Sequence, residues 1–262
     1  LTSKGSTLAL EALSIGALEV ISKPHSAYSV GDMSVQLAEK IRAVHGAKLV
    51  PLPSGSLKTG APTISKALAQ TTHKIIAVGA STGGTEALKK VLTQMPQNSP
   101  GILVVQHMPA DFIPSLAKRL NGESNLEVKV AEDLEPIQQG TVLIMPSQFH
   151  CRIESIEKNG EAIRLVSSAN EENFRFTLAD EPMISLAPIY GKNAIGVVLT
   201  GMGDDGTGGL RAIKKYGGYT IAEDESTCIV NGMPRSVIKA GVVDKVVPLH
   251  RIAAEITRIV RG

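Results

Sequence analysis

Residues 75–84 read IIAVGASTGG, an apolar run followed by one serine among three glycines. A buried strand that ends in a glycine-rich turn has two common uses. Its backbone N–H groups can cradle a phosphate at the start of the next helix, or the turn can expose a nucleophilic hydroxyl. Either way the strand belongs to a sheet covered on both faces, because a continuous apolar run offers no face to water. The ten residues alone leave both uses open, and the rest of the chain chooses between them.

Outward from this stretch the pattern repeats as strand, helix, strand. Strands are predicted at Ile75–Val78, Ile102–Gln106, Leu126–Ala131, Val142–Met145, Ala194–Thr200, Tyr219–Ala222 and Val242–Val247. Helical spacing lies between them at Glu86–Gln94, Asp111–Leu120, Gly208–Tyr216, Pro234–Ala240 and Leu249–Val260. Apolar strands alternating with amphipathic helices predict an α/β fold with a mostly parallel, doubly wound sheet. From Leu126 to Arg164 strands follow one another without helices, which predicts an antiparallel hairpin or edge. A single core spanning residues 74–262 accounts for the pattern.

Upstream the chain is different. Residues 1–45 read as helix (STLALEALSIGA), short strand (LEVISKP) and helix (MSVQLAEKIRAVH). One strand between two helices buries too little to stand alone, so this segment is expected to be part of a larger domain. The chain begins at Leu1 rather than Met, and is expected to be a fragment of something longer. Residues 46–73 are rich in Gly, Pro, Ser and Thr, the composition of a linker.

Composition narrows the function classes. A formal net charge of +2 gives no polyanion-binding signal, and aromatics at 3% with no Trp supply little for base stacking, so nucleic acid is not an expected partner. No apolar run approaches the ~18 residues of a membrane span, so no membrane insertion is expected. Cys151 and Cys228 stand far apart, without metal-ligand spacing, and are expected to be reduced thiols of a cytoplasmic protein. No His, Cys or Asp spacing matches a metal site, and none is predicted.

Parallel α/β sheets gather functional groups at the carboxyl ends of their strands. Those ends supply Ser81, His107 and the stretch GMGDDGTGG, which holds Asp204 and Asp205. A serine hydroxyl needs an adjacent base, and a carboxylate-oriented histidine is one. The bland alternatives are a helix-capping serine, a turn-closing histidine and ordinary turn aspartates. The turn fits G-x-S-x-G as Gly79-Ala80-Ser81-Thr82-Gly83, but the order Ser, His, Asp is not that of α/β-hydrolases. The phosphate-cradle reading is weaker. The second strand ends in Gln106-His107 with no acid for a ribose, and no Lys follows as in a P-loop.

Four segments carry a resemblance: IIAVGASTGGTEAL, VVQHMPADFIPSLAKRL, GVVLTGMGDDGTGGL and TIAEDESTCIVNGMPRSVIKAG. Together and in this order they resemble the CheB-type chemotaxis protein-glutamate methylesterases, from about residue 74 to the C-terminus. Residues 1–45 are similar to the last third of a response-regulator receiver domain, with Ser22-Lys23-Pro24 matching the Lys-Pro after its fifth strand.

The resemblance implies a serine hydrolase that removes methyl esters from glutamates on the cytoplasmic helices of chemoreceptors and also deamidates receptor glutamines. It implies Ser81 as nucleophile, His107 as base and Asp205, rather than Asp204, as the orienting acid. The Met202 N–H is implied as oxyanion donor, with Thr82 supporting the site, no cofactor, and a histidine kinase as partner of the full-length receiver. Two departures stand out: Thr85 replaces a common Pro, and residues 173–182 (NFRFTLADEP) lack the family's usual His-Arg and Pro-Ser, keeping only Asp180. The second predicts a receptor preference of its own.

Overall fold

The computed structural model describes residues 3–21, 37–38, 40–42, 44–45, 73–156, 160–167 and 178–261. β1 (Ile75–Ala80) is buried at all six positions, as its apolar and small side chains require. Glycines then turn the chain into α2 (Gly84–Leu92), which follows α1 (Ser3–Ser14) in chain order. β2 (Gly101–Gln106), equally buried, leads through a 3-10 turn into α3 (Ile113–Glu123). Next come β3 (Glu127–Val130), the short β4 (Glu135–Pro136), β5 (Thr141–Ile144), and the hairpin of β6 (Phe149–Ile156) and β7 (Gly160–Ser167). The chain continues as α4 (Asp180–Tyr190), β8 (Ala194–Val198), α5 (Thr207–Lys215) and β9 (Tyr219–Glu223). It closes with α6 (Met233–Lys239), β10 (Lys245–Val247) and α7 (Leu249–Arg261).

Seven strands form one sheet in the order β10-β9-β8-β1-β2-β5-β3, and all its neighbours run parallel. The antiparallel part, expected between Leu126 and Arg164, is a separate three-stranded sheet, β4-β7-β6, rather than an edge of the main one. Successive strand residues point to opposite faces, and the core divides accordingly. Ile76, Val78 and Val104 pack with Leu88 and Leu92 of α2, Leu116 of α3 and Ile252 and Ile256 of α7. Ile75, Ala77, Leu103 and Val105 pack with Met183 and Leu186 of α4, Leu210 of α5, Met233 of α6 and the hairpin's Ile153 and Ile163.

Helix α4 was absent from the predicted helices. It is apolar on most of its surface and carries Pro182 and Pro188, so no amphipathic stripe marks it. The predicted strand after α1 does not form in the described part: residues 17–21 carry no strand pairing, and 22–24 lie outside the described residues. The second predicted helix is helical at each of residues 37–38, 40–42 and 44. Residues 46–72 of the predicted linker also lie outside the described residues. α1 itself joins the core through Leu10 and Leu13, while Leu8 and Ile15 face outward.

The register positions the site. Ala80 pairs with Gln106 and Gly79 with Val198. Ser81, His107 and the loop after β8 therefore leave the sheet side by side, at the point where strand order reverses about β1.

Candidate active site

Ser81 follows β1 directly, and its N–H donates to the Thr200 carbonyl (3.0 Å). Its own carbonyl accepts the Gly84 N–H (2.7 Å) and the Gln106 Nε2–H (2.9 Å), so the turn is held on both sides. Gly83 completes the turn with φ 80°, and a Cβ there would lie 2.7 Å from Ile229 Cβ. Only glycine meets both conditions. Gly83, not Ser81, is the N-cap of α2, and no side chain caps that helix. The capping alternative for Ser81 therefore does not hold.

His107 sits one residue beyond β2, with its N–H on the Ala80 carbonyl (3.0 Å). Its ring does not close a local turn: Nε2 lies 2.7 Å from Asp205 Oδ2, with both side chains about nine-tenths buried. Three backbone N–H groups complete the cradle of Asp205: Ala179 to Oδ2 (2.7 Å), Asp180 to Oδ1 (3.1 Å) and Gly206 to Oδ1 (2.9 Å). Burial alone would push this carboxyl upward. The His107 hydrogen bond and charge, with the Ala179 and Asp180 donors, outweigh it and hold the group below its ordinary range. An ionised Asp205 accepts, so the ring presents a protonated Nε2 to it. That is the reverse of the ring usage in chymotrypsin-type triads.

Asp204 is exposed, and its carbonyl accepts the Thr207 N–H and hydroxyl in an ordinary turn. Of the two aspartates, Asp205 is the one the fold brings to His107.

The loop carrying Met202 lies against the serine. A Cβ at Gly201 would sit 2.7 Å from Ser81 Cβ and 2.4 Å from Met233 Sδ, so only glycine lets the strands approach this closely. Gly201 is fixed by its N–H to Val230 O (2.9 Å) and by Gly232 and Met233 N–H groups on its carbonyl. Among the described residues no backbone acceptor takes the Met202 N–H. Thr82 is buried; its carbonyl accepts the Thr200 hydroxyl (3.0 Å), and its own hydroxyl donates to Glu19 Oε2 (2.6 Å).

Gln106 and Asp180 support the site, a role the sequence did not assign to either. Gln106 joins the serine turn to the histidine strand by donating to Ser81 O and His107 O (3.2 Å). Asp180 receives the Gly209 N–H of α5 (2.6 Å), so α4 holds Asp205 while Asp180 holds the start of the next helix. A buried amide directly before a candidate base was the available clue for Gln106. His150 lies in β6 with Nδ1 on Glu181 Oε1. Cys151 and Cys228 are buried and form no disulfide among the described residues. Among the described residues no cluster of three or more His, Cys, Asp or Glu is placed for a metal, and no helix is long and apolar enough to cross a membrane.

A buried His–Asp pair beside a serine turn, with a backbone N–H close by, has the components of acyl transfer. Comparison with known proteins points the same way. The sequence model described as CheB methylesterase matches residues 76–256. The chain is 48% identical over 262 residues to the protein-glutamate methylesterase/protein-glutamine glutaminase 2 of Syntrophus aciditrophicus, covering 99% of this chain and 76% of that one. It is 42% identical over 259 residues to a similarly named protein of Pseudomonas aeruginosa, covering 97% of this chain and 72% of the relative. The crystal structure of the Thermotoga maritima CheB methylesterase catalytic domain is similar at 42% identity and a TM-score of 0.68, covering 72% of this chain and all of that one. A matched family model, relatives along nearly the whole chain and a shared fold agree: the chain belongs to the CheB methylesterase family.

Proposed function

We propose that this chain hydrolyses glutamate methyl esters on methyl-accepting chemoreceptors, releasing methanol, and deamidates receptor glutamines, in chemotactic adaptation. The observation that carries the reading is the 2.7 Å His107–Asp205 contact beside the turn that holds Ser81. In this mechanism His107 Nδ1 takes the Ser81 proton as the hydroxyl attacks the ester carbonyl. Asp205 keeps the imidazole oriented and stabilises its cation. The Met202 N–H receives the developing oxyanion, a role whose loss typically costs about 10²–10³ in rate. His107 then protonates the departing methoxide, giving methanol, or the glutamine amide nitrogen, which leaves as ammonia, and water releases the acyl-enzyme. Thr82 supports the turn without touching substrate. The chemistry needs no cofactor.

The same reading divides the chain into a receiver-domain remnant (1–45), a linker (46–73) and the catalytic domain (74–262). Similarity to named relatives along 99% of the chain, and to a solved catalytic domain along only 72%, supports that division. The protein acts in the cytoplasm on the receptors' cytoplasmic helices, and in full-length form receives its signal from a histidine kinase through the receiver. Methylated receptor and its glutamine-bearing counterpart are the substrates to assay, with methanol and ammonia measured in parallel. Release of both, undiminished by a chelator, is expected; release of neither refutes the proposal.

A further inference from the structure

Glu223 closes β9 at the same sheet edge and is fully buried; among the described residues no other acidic or basic side chain is buried to that degree. Its Oε2 accepts the Thr200 N–H at 2.8 Å, and its Oε1 has no hydrogen-bond partner. The Thr227 hydroxyl donates to the Asp224 carbonyl (3.2 Å) and also lies within reach of the Glu223 carboxyl, where it favours the charged form. Lys90 of α2, Asp224 of the following turn and the Cys228 thiol are the titratable groups around it, and none pairs with it. A carboxylate with few donors and no paired cation costs far more in such a place than the neutral acid.

What Glu223 holds matters more than its own burial. Thr200 is the residue against which the nucleophile turn is built. Its carbonyl receives the Ser81 N–H (3.0 Å), and its hydroxyl donates to Thr82 O (3.0 Å) or Val230 O (3.2 Å). That hydroxyl also accepts the Val230 N–H (2.9 Å). Gly201 and Met202 follow directly. One carboxyl oxygen thus fixes the peptide that aligns both the serine and the neighbouring oxyanion loop.

We propose that Glu223 is a positioning residue that works as the neutral acid, setting Ser81 and Met202 through Thr200, and that its ionisation loosens them. The proposal rests on the reading of Ser81 as nucleophile. With the proton on Oε1, Oε2 meets Thr200 as a carbonyl-type acceptor, and nothing charged is left buried. Ionisation demands more donors than the Thr200 N–H and the Thr227 hydroxyl give, so water or movement of β9 must supply the rest. Burial is the main cause holding this carboxyl above its ordinary range, with the Thr200 N–H, the Thr227 hydroxyl and the Lys90 charge offsetting part of it.

The test uses the full chain with Glu223→Gln, Glu223→Leu and Ser81→Ala, following methanol release and thermal midpoint from about pH 6 to about pH 10. Glu223→Leu is expected to lose about tenfold or more in kcat with little change in KM, and Glu223→Gln to restore most of it. Wild-type kcat should fall on the alkaline side, and that limb should vanish in Glu223→Gln. The midpoint gives a second reading independent of activity. A carboxyl with a raised folded-state pKa stabilises fully below its unfolded value, about 4.3, and loses that contribution as pH rises through the folded value. The Gln variant should therefore gain on wild type as pH rises. A gap that stays flat with pH, or an alkaline limb that survives in Glu223→Gln, overturns the proposal. Turnover by Ser81→Ala would sink the nucleophile reading by itself, while the midpoint gap still reports the Glu223 proton.

Discussion

Asp204 and Asp205 are adjacent, chemically identical and placed among the same glycines, yet the fold treats them in opposite ways. Asp205 collects three backbone N–H groups and the His107 ring, whereas the Asp204 backbone closes a surface turn. Asp205→Asn is accordingly expected to lower kcat by about 10⁴, as a wrong histidine tautomer does in related triads, and Asp204→Asn to leave kcat within about twofold. Steady-state methanol release from the two variants decides it, and a larger loss in Asp204→Asn contradicts the assignment. Asp205 also has a signature in stability. Its folded-state pKa is depressed, so its contribution is present above the unfolded value of about 3.9 and is lost as pH falls through the folded one. The midpoint gap between wild type and Asp205→Asn should narrow as the solution is acidified below about pH 4. The ring nitrogen facing Asp205 is a further check: ¹⁵N spectra of labelled histidine should show the His107 proton on Nε2. Ser81, His107 and Asp205 stood out as candidates because each follows a strand that reads clearly as apolar. Gln106, Thr200 and Glu223 were not, because a polar residue at a strand end looks the same whether it meets solvent or a buried backbone group.

Among the elements, α4 has the largest bearing on the site. Its first N–H groups hold Asp205, its Asp180 side chain receives the Gly209 N–H at the start of α5, and its apolar residues Met183 and Leu186 fill the core below. Burial and the neighbouring Asp205 charge push the Asp180 carboxyl upward, with the Gly209 N–H opposing them. Asp180→Ala should therefore destabilise by about 1 kcal/mol, the usual cost of a lost helix-start hydrogen bond, and lower kcat by displacing Asp205. Asp180→Asn keeps the acceptor and should retain most of both. Denaturant unfolding together with kcat measures the pair, and equal behaviour of Ala and Asn would contradict the role. This element escaped the sequence because helix detection relies on an alternation of apolar and polar faces, and α4 has little polar face to alternate with. The other helices after residue 74 were legible, each presenting an apolar stripe to one side of the sheet.

At the scale of the molecule, the parallel sheet was legible from its continuous apolar strands, but the docking of the N-terminal segment was not. Residues 1–45 were expected to bury too little to stand alone; Leu10 and Leu13 of α1 enter the core and Glu19 joins both Thr82 and Lys40. Such contacts depend on which helix meets which surface, and no local periodicity encodes that. A chain of residues 74–262 should still fold, as the similar Thermotoga maritima catalytic domain does, with a lower midpoint. Exposing two leucine sites alone removes roughly 1.5–3 kcal/mol each; an unchanged midpoint would contradict the packing of α1. The central claim is that one serine, activated across the sheet edge, carries the hydrolysis. Its most direct measurement is methanol release from methylated receptor by wild type and by Ser81→Ala, with circular dichroism confirming that both are folded. The account predicts release by wild type and none above background by the folded variant; near-normal turnover by a folded Ser81→Ala would contradict it.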